Sequence, residues 1–120
     1  MRRAALGLTL VLSLSLSVAG AIQETSRRGG ITGWVKDEQG QPVARAKARA
    51  IEPRTNRTVA EAMTDEEGKF VLSDLTPGRY ALLVSSPDHE PALVRSVEVK
   101  SGQETVLKSP VRLRRAEAYA

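Results

Sequence analysis

Hydrophobic and polar residues alternate with a period of two along most of the chain after residue 29, and this period predicts β-strands. In the segment Ile31–Val35, Ile31, Gly33 and Val35 share one face. Residues 79–84 carry the strongest alternation in the chain. The segment Val43–Ile51 places alanines on one face and basic residues on the other. Alanine also favours helices, but on a helix the basic residues would spread around the circumference, so we expect a strand.

Glycine, proline, aspartate and asparagine occur between these segments, and these are the residues that turns favour. The loop 64–69 has the composition of a hairpin turn. No segment predicts a helix, and no internal repeat is present. The predicted strands are 31–35, 43–51, 57–63, 70–72, 79–84, 93–100 and 105–113. We therefore predict an all-β fold, a seven-stranded antiparallel Greek-key β-sandwich.

The first 21 residues have the layout of a secretory signal peptide. Arg2 and Arg3 precede an apolar run that ends in small residues at positions 19–21. That run is shorter than the about 20 residues of a membrane span. We therefore expect cleavage after Ala21, a secreted or periplasmic protein, and no membrane span after signal cleavage. Residues 22–29 are predicted to be a linker, residues 30–113 the domain and residues 114–120 a disordered tail.

The composition of the chain excludes sites that depend on cysteine and argues against nucleic-acid binding. The chain has no cysteine, which removes cysteine nucleophiles, thiolate metal sites and disulfides. Its net charge of +4 comes from the two ends, because residues 22–111 carry 13 basic and 13 acidic side chains. With 3% aromatic residues the chain also lacks the stacking platforms of single-strand binders. No nucleic-acid partner is expected.

Four blocks, in this order and spacing, resemble the carboxypeptidase regulatory-like domain family: Ile31–Asp37, Gly40–Ala46, Thr64–Phe70 and Leu75–Tyr80. The resemblance implies a transthyretin-like, or prealbumin-like, sandwich that serves as a non-catalytic accessory module, structural or binding. Its partner would be a glycan or a cell-envelope protein. An alternative is the N-terminal extension module of a larger outer-membrane receptor. The family usually has valines where Ala48 and Ala50 stand, which predicts a thinner core at that end.

The candidate ligand-contact surface consists of Trp34, Arg45, Lys47 and Arg49. An outward indole can stack on a sugar ring, and a basic stripe suits sulfate, carboxylate or anionic sugar groups. The alternatives are that the charges guard against sheet-to-sheet aggregation and that Trp34 packs beneath a neighbouring loop. The sequence does not decide between these interpretations.

No catalytic residue, cofactor or metal site is predicted. His89 is the only histidine, in a loop predicted at 86–91, and a hydrolase using it is the alternative hypothesis. A tetrahedral zinc site would need more nitrogen or sulfur ligands than the chain offers. The acidic run Asp65–Glu67 lacks the spacing of an EF-hand, so we interpret it as a solvated turn. Oligomeric state is left open.

Overall fold

The computed structural model describes residues 27–117, all in strands, turns and loops. The predicted signal peptide, most of the predicted linker and residues 118–120 lie outside this part of the chain. No helix within residues 27–117 is long and apolar enough to cross a membrane. The strands are β1 (Gly29–Asp37), β2 (Lys47–Glu52), β3 (Arg57–Met63), β4 (Lys69–Leu75), β5 (Gly78–Ser86), β6 (His89–Val99), β7 (Glu104–Val106) and β8 (Val111–Leu113).

These strands form two sheets, which confirms the predicted all-β sandwich. The first sheet has the order β4-β1-β7, with β8 also paired to β1, and the second has the order β3-β2-β5-β6. The chain crosses between the sheets after β1, β3, β4 and β6, and its hairpins are β2–β3 and β5–β6. The crossings are those expected of a Greek-key arrangement.

The count of seven strands and the all-antiparallel pairing need correction. The predicted last strand, 105–113, is two strands that lie beside successive parts of β1, and both pairings are parallel. Between them Leu107 N donates to Thr32 O at 2.9 Å, after which the ladder stops. Pro110 precedes β8 and has no N–H to donate, so the strand cannot run through it.

The predicted hairpin at 64–69 is wrong, because β3 and β4 belong to different sheets and β4 pairs with β1. The loop is nevertheless a tight turn. Asp65 Oδ1 accepts hydrogen bonds from the N–H groups of Glu67 and Lys69, each at 2.9 Å. Gly68 has φ of 78°, which glycine adopts without strain. A connection between two sheets uses the same turn chemistry as a hairpin, so composition could not separate them.

The strand predicted at 43–51 is confirmed as a strand, but it begins later, at Lys47. Residues 44 and 45 form a turn, in which Arg45 has a left-handed φ of 59°. Thr64 holds this turn in place: its hydroxyl donates to Val43 O at 2.7 Å and accepts from Ala46 N at 2.9 Å. Arg45 therefore lies before β2, not in line with Lys47 and Arg49 on the strand.

The core lies between the sheets and is filled unevenly. The first sheet contributes large side chains, namely Ile31, Val35, Phe70, Leu72, Leu75, Val111 and Leu113. The second sheet contributes Ala48, Ala50, Tyr80, Leu82, Val84, Val97 and Val99. The two alanines of β2 are fully buried, so the second sheet fills the core there with small side chains, where the sequence predicted a thinner core.

The predicted disorder of the tail does not hold for residues 114–116, which pair with the start of β6. Glu90 N donates to Arg114 O at 2.8 Å, and Ala116 N donates to Asp88 O at 3.0 Å. Because β6 is an edge strand, it has free backbone groups there for the tail to satisfy. The β5–β6 turn is also shorter than predicted, since β6 begins at His89 and accommodates Pro91 at the sheet edge.

Candidate functional site

The sandwich separates the predicted ligand-contact residues. Trp34 lies on β1 of the first sheet, between the inward residues Gly33 and Val35, and is half-buried on the outer side. Lys47 and Arg49 lie on β2 of the second sheet, between the buried alanines. The outer faces of two packed sheets point in opposite directions. The structure therefore keeps Lys47 and Arg49 together, with Arg45 nearby, and places Trp34 on the other side of the molecule.

We call the basic surface of the second sheet the β2 face; it consists of Arg45, Lys47, Arg49 and Glu61. Glu61 on β3 lies between the two strand cations. Its Oε1 is 3.8 Å from Lys47 Nζ, and its Oε2 is 3.7 Å from Arg49 Nε. Arg49 Nε is buried and has no hydrogen-bond partner at that distance. The depression here, of about 390 Å³, is thus partly neutralised.

The outer surface of the first sheet carries a second group of cations, which the sequence analysis did not single out. We call it the Trp34 face; it consists of Trp34, Lys36, Lys69, Lys108 and Arg112. Lys69 pairs with Trp34 across β1 and β4, and its Nζ lies 5.8 Å from the centre of the indole. This is within the range of a cation–π contact.

The other cations of the Trp34 face are Lys36 on β1, and Lys108 and Arg112 from the last part of the domain. Lys36 pairs with Arg112 across the parallel strands β1 and β8. Lys108 lines a depression of about 290 Å³ together with Trp34, Lys36, Leu107 and Pro110. Within residues 27–117 none of these four cations belongs to an ion pair. Alternation along β1 puts Trp34 and Lys36 on one side, but only the sheet order brings the other three basic residues there.

Two acidic residues flank the Trp34 face, one toward each end of β1. Glu104 lies toward the start of β1, where Thr32 Oγ1 donates to its Oε1 at 2.6 Å. Glu38 follows β1, and its Oε1 accepts from Arg115 N at 3.3 Å in the tail. Among residues 27–117 no carboxylate lies within 4.0 Å of the four cations of the Trp34 face.

His89 occupies a separate place at the β5–β6 turn. It is half-buried, and its Nδ1 lies 3.3 Å from Ser86 Oγ across the turn. A cavity of about 270 Å³ beside it is lined by Asp37, Glu38, Gln39, Asp88 and Arg115. Among the described residues no group of three or more His, Cys, Asp or Glu side chains is placed to hold a metal ion. In the acidic run Asp65–Glu67, the carboxylate of Asp65 accepts hydrogen bonds from backbone N–H groups of its own loop.

Tyr80 lies at the opposite end of the second sheet and has a structural role. Its hydroxyl donates to Thr76 O in the β4–β5 turn, beside a depression of about 390 Å³. Burial raises the pKa of this phenol; the nearby Glu52 carboxylate raises it further, while Arg28 opposes the shift. The hydrogen bond fixes the turn against β5, as in the tyrosine corners of other sandwiches.

Taken together, two layered sheets with crossing connections and two different outer faces define a β-sandwich module. The sequence profile of the carboxypeptidase regulatory-like domain matches residues 30–113. The chain belongs to this family.

Comparisons with individual proteins agree with this fold. The chain is 31% identical to Colossin-A of Dictyostelium discoideum over 61 residues, 51% of this chain. It resembles the minor pilin of Streptococcus agalactiae with a TM-score of 0.63 and 13% identity over 79% of this chain. It also resembles a candidate carbohydrate-binding protein of Bacteroides uniformis with a TM-score of 0.54 and 19% identity over 72% of this chain.

The chain covers only a part of each of these proteins. The matched share is 0% of Colossin-A, to the nearest percent, 48% of the pilin chain and 41% of the Bacteroides uniformis chain. At such low identity the two structural matches show the fold alone. They show that this sandwich occurs as one unit within larger proteins.

Proposed function

We propose that this protein is an exported, non-catalytic accessory module that binds a carbohydrate or cell-envelope partner through the Trp34 face. The observation that carries the proposal is the set of four unpaired cations around an outward indole. Side chains that only maintain solubility are normally interspersed with charges of opposite sign. Here no carboxylate among residues 27–117 lies within 4.0 Å of the four cations, so they are available to a ligand or partner.

The chemistry of the face suits a partner with both apolar and polar groups. An indole offers a flat apolar surface for the C–H groups of a sugar ring or an aliphatic side chain. The surrounding ammonium and guanidinium groups donate hydrogen bonds to oxygen atoms. The likeness to a pilin and to a candidate carbohydrate-binding protein supports the same class of function.

The test is a glycan array together with a pull-down from envelope extract, using purified protein expressed from the full sequence. Trp34→Ala is the main variant, and Leu93→Ala is the matched control, because Leu93 is an exposed apolar residue on the second sheet. We expect retained partners for the native protein and the control, and loss of binding for Trp34→Ala. No retained partner in either assay would contradict the proposal.

Export is a separate part of the proposal, motivated by the two arginines, the apolar run and the small residues at positions 19–21. Mass spectrometry of protein recovered from its producing cells tests it. We expect a mature chain that begins at Ile22 and is found outside the cytoplasm. Intact residues 1–21 on a cytoplasmic protein would contradict export while leaving the binding assays unaffected.

The absence of catalysis is tested directly, because the Ser86–His89 contact gives the hydrolase hypothesis one geometric element. A serine nucleophile also needs an oriented base and donors for the oxyanion. We expect no turnover in an esterase and amidase screen. Turnover that disappears in His89→Ala would favour the hydrolase. The receptor-extension alternative is tested by the gene sequence beyond Ala120.

A further inference from the structure

We propose that the Trp34 face takes an acidic polysaccharide, a chain of uronate or sulfated sugars, and that the β2 face does not. This inference rests on the proposed binding function and names its ligand class. Its starting observation is that both outer faces carry cations, but only the β2 face also has a carboxylate close to them. Glu61 lies within 4.0 Å of Lys47 and Arg49, whereas no carboxylate among the described residues lies that close to the cations of the Trp34 face.

The spacing of the cations favours a repeating anion over a single one. Neighbouring strands lie about 4.8 Å apart, and residues two positions apart on one face lie about 6.6 Å apart. Lys36 and Arg112 are neighbours across β1 and β8, and Lys69 lies beside Trp34 across β1 and β4. The positive charge therefore extends across three strands. A polymer with an acid group on each sugar can contact several cations at once, and a small anion cannot.

Trp34 adds selectivity for a sugar over a simple polyanion. The Lys69 ammonium lies over the indole, 5.8 Å from the ring centre, so a sugar that packs on the ring must displace this side chain and can then pair its carboxylate or sulfate with the same cation. The adjoining depression between Trp34, Lys108 and Pro110 gives room for the next sugar. Apolar contact and charge pairing then act on the same ligand.

The experiment measures the affinity of the purified protein for polygalacturonate oligosaccharides and for neutral dextran oligosaccharides by calorimetry. We expect binding of polygalacturonate only, weakened by high salt because exposed charge pairs are screened. Lys36→Gln combined with Lys108→Gln should lower the affinity roughly five- to tenfold, the loss of two exposed charge pairs. Trp34→Ala should lower it as well.

Lys47→Gln combined with Arg49→Gln is the matched control, since it removes two cations from the β2 face. We expect no change in affinity, and a circular dichroism spectrum of β type for every variant. An equal loss in this control would show that the polyanion does not distinguish the two faces, and it would overturn the inference.

Other outcomes separate this inference from the proposed function. Equal binding of dextran and polygalacturonate would overturn the acidic ligand class but leave a carbohydrate-binding module. Failure of both polysaccharides, with an envelope protein retained in the pull-down, would overturn the inference alone. Failure of all three would overturn both.

Discussion

The two sheets of this sandwich differ both in how they fill the core and in what they present to solvent. The first sheet packs large side chains such as Phe70 and Leu72 inward and leaves unpaired cations around Trp34 outward. The second sheet has alanines on the inner side of β2, and its outward Lys47 and Arg49 both lie close to Glu61. Thus the same strand alternation produces one face with ion pairs and one face whose cations form none among the described residues. The difference depends on whether the neighbouring strand supplies a carboxylate, as β3 does with Glu61.

Each sheet also contributes one aromatic ring to the core, and each ring is positioned differently. Phe70 on β4 lies opposite Gly33 on β1. A side chain at position 33 would meet the ring, since an added Cβ would lie 2.6 Å from Phe70 Cζ. Tyr80 on β5 instead anchors its hydroxyl on Thr76 O. The first sheet relies on apolar fit, and the second on a polar anchor.

The largest expected effect is the loss of stability when a core side chain of the first sheet is truncated. Phe70→Ala should lower the free energy of unfolding by about 3–5 kcal/mol, because it removes a fully buried ring and leaves a cavity. Urea denaturation measures this. The neighbouring Val71→Ala is the control, since Val71 is exposed and its loss should change stability by about 0.5 kcal/mol or less. Equal effects in the two variants would contradict the inward assignment of Phe70.

Gly33→Ala tests the fit between β1 and β4. It should cost about 1–3 kcal/mol, because the new methyl group would overlap the Phe70 ring and must displace it. The cost should shrink when Phe70→Leu is present, and a double-mutant cycle by urea denaturation measures that coupling. Strictly additive costs would show that the glycine is needed for some reason other than the ring.

Tyr80→Phe tests the polar anchor of the second sheet. It should cost about 1 kcal/mol at neutral pH, the usual contribution of one hydrogen bond. The pKa of Tyr80 is raised in the folded protein, so its contribution is full below the unfolded phenol pKa of about 10 and is lost as pH rises through the folded pKa.

The measurement is thermal unfolding of both proteins from neutral pH to beyond pH 10. The stability difference between the native protein and Tyr80→Phe should narrow over the alkaline part of that range. Tyr119 is present in both proteins and cancels in the comparison. A difference that stays constant or widens with pH would contradict the role assigned to the phenol.

The smallest stability effect is expected at Glu61. Glu61→Gln should change the free energy of unfolding by less than about 1 kcal/mol, because exposed ion pairs contribute little. It should nevertheless free Lys47 and Arg49. When added to Lys36→Gln and Lys108→Gln, it should restore part of the lost polygalacturonate binding. If calorimetry shows no gain, Glu61 is not what distinguishes the two faces.

Much of the fold follows from the sequence, because alternation is a local property. The inward positions Ile31, Val35 and the β2 alanines were predicted correctly, and the turn at Gly68 was located. Sheet membership is not local. Turn residues did not reveal that β4 pairs with β1, nor that the last strand is divided at Pro110 and runs parallel to β1.

The candidate site was harder to predict for the same reason. The sequence places Lys47 and Arg49 two residues apart, so their stripe was visible, but Glu61 on β3 was not predicted to lie between them. Conversely, Lys69 and Arg112 are far from Trp34 in sequence and give no local signal. Their proximity depends on strand order and register, which a single sequence does not specify.

The sheet order also determines when the Trp34 face comes into existence. Both hairpins belong to the second sheet, whereas β1 pairs only with strands distant in sequence. Pairings of large sequence separation form slowly, because a long loop must close before any contact is made. The second sheet can therefore assemble while the chain is still emerging, but the cations of β8 and its preceding loop arrive last. A newly synthesised chain acquires the complete Trp34 face only when β1 meets β8.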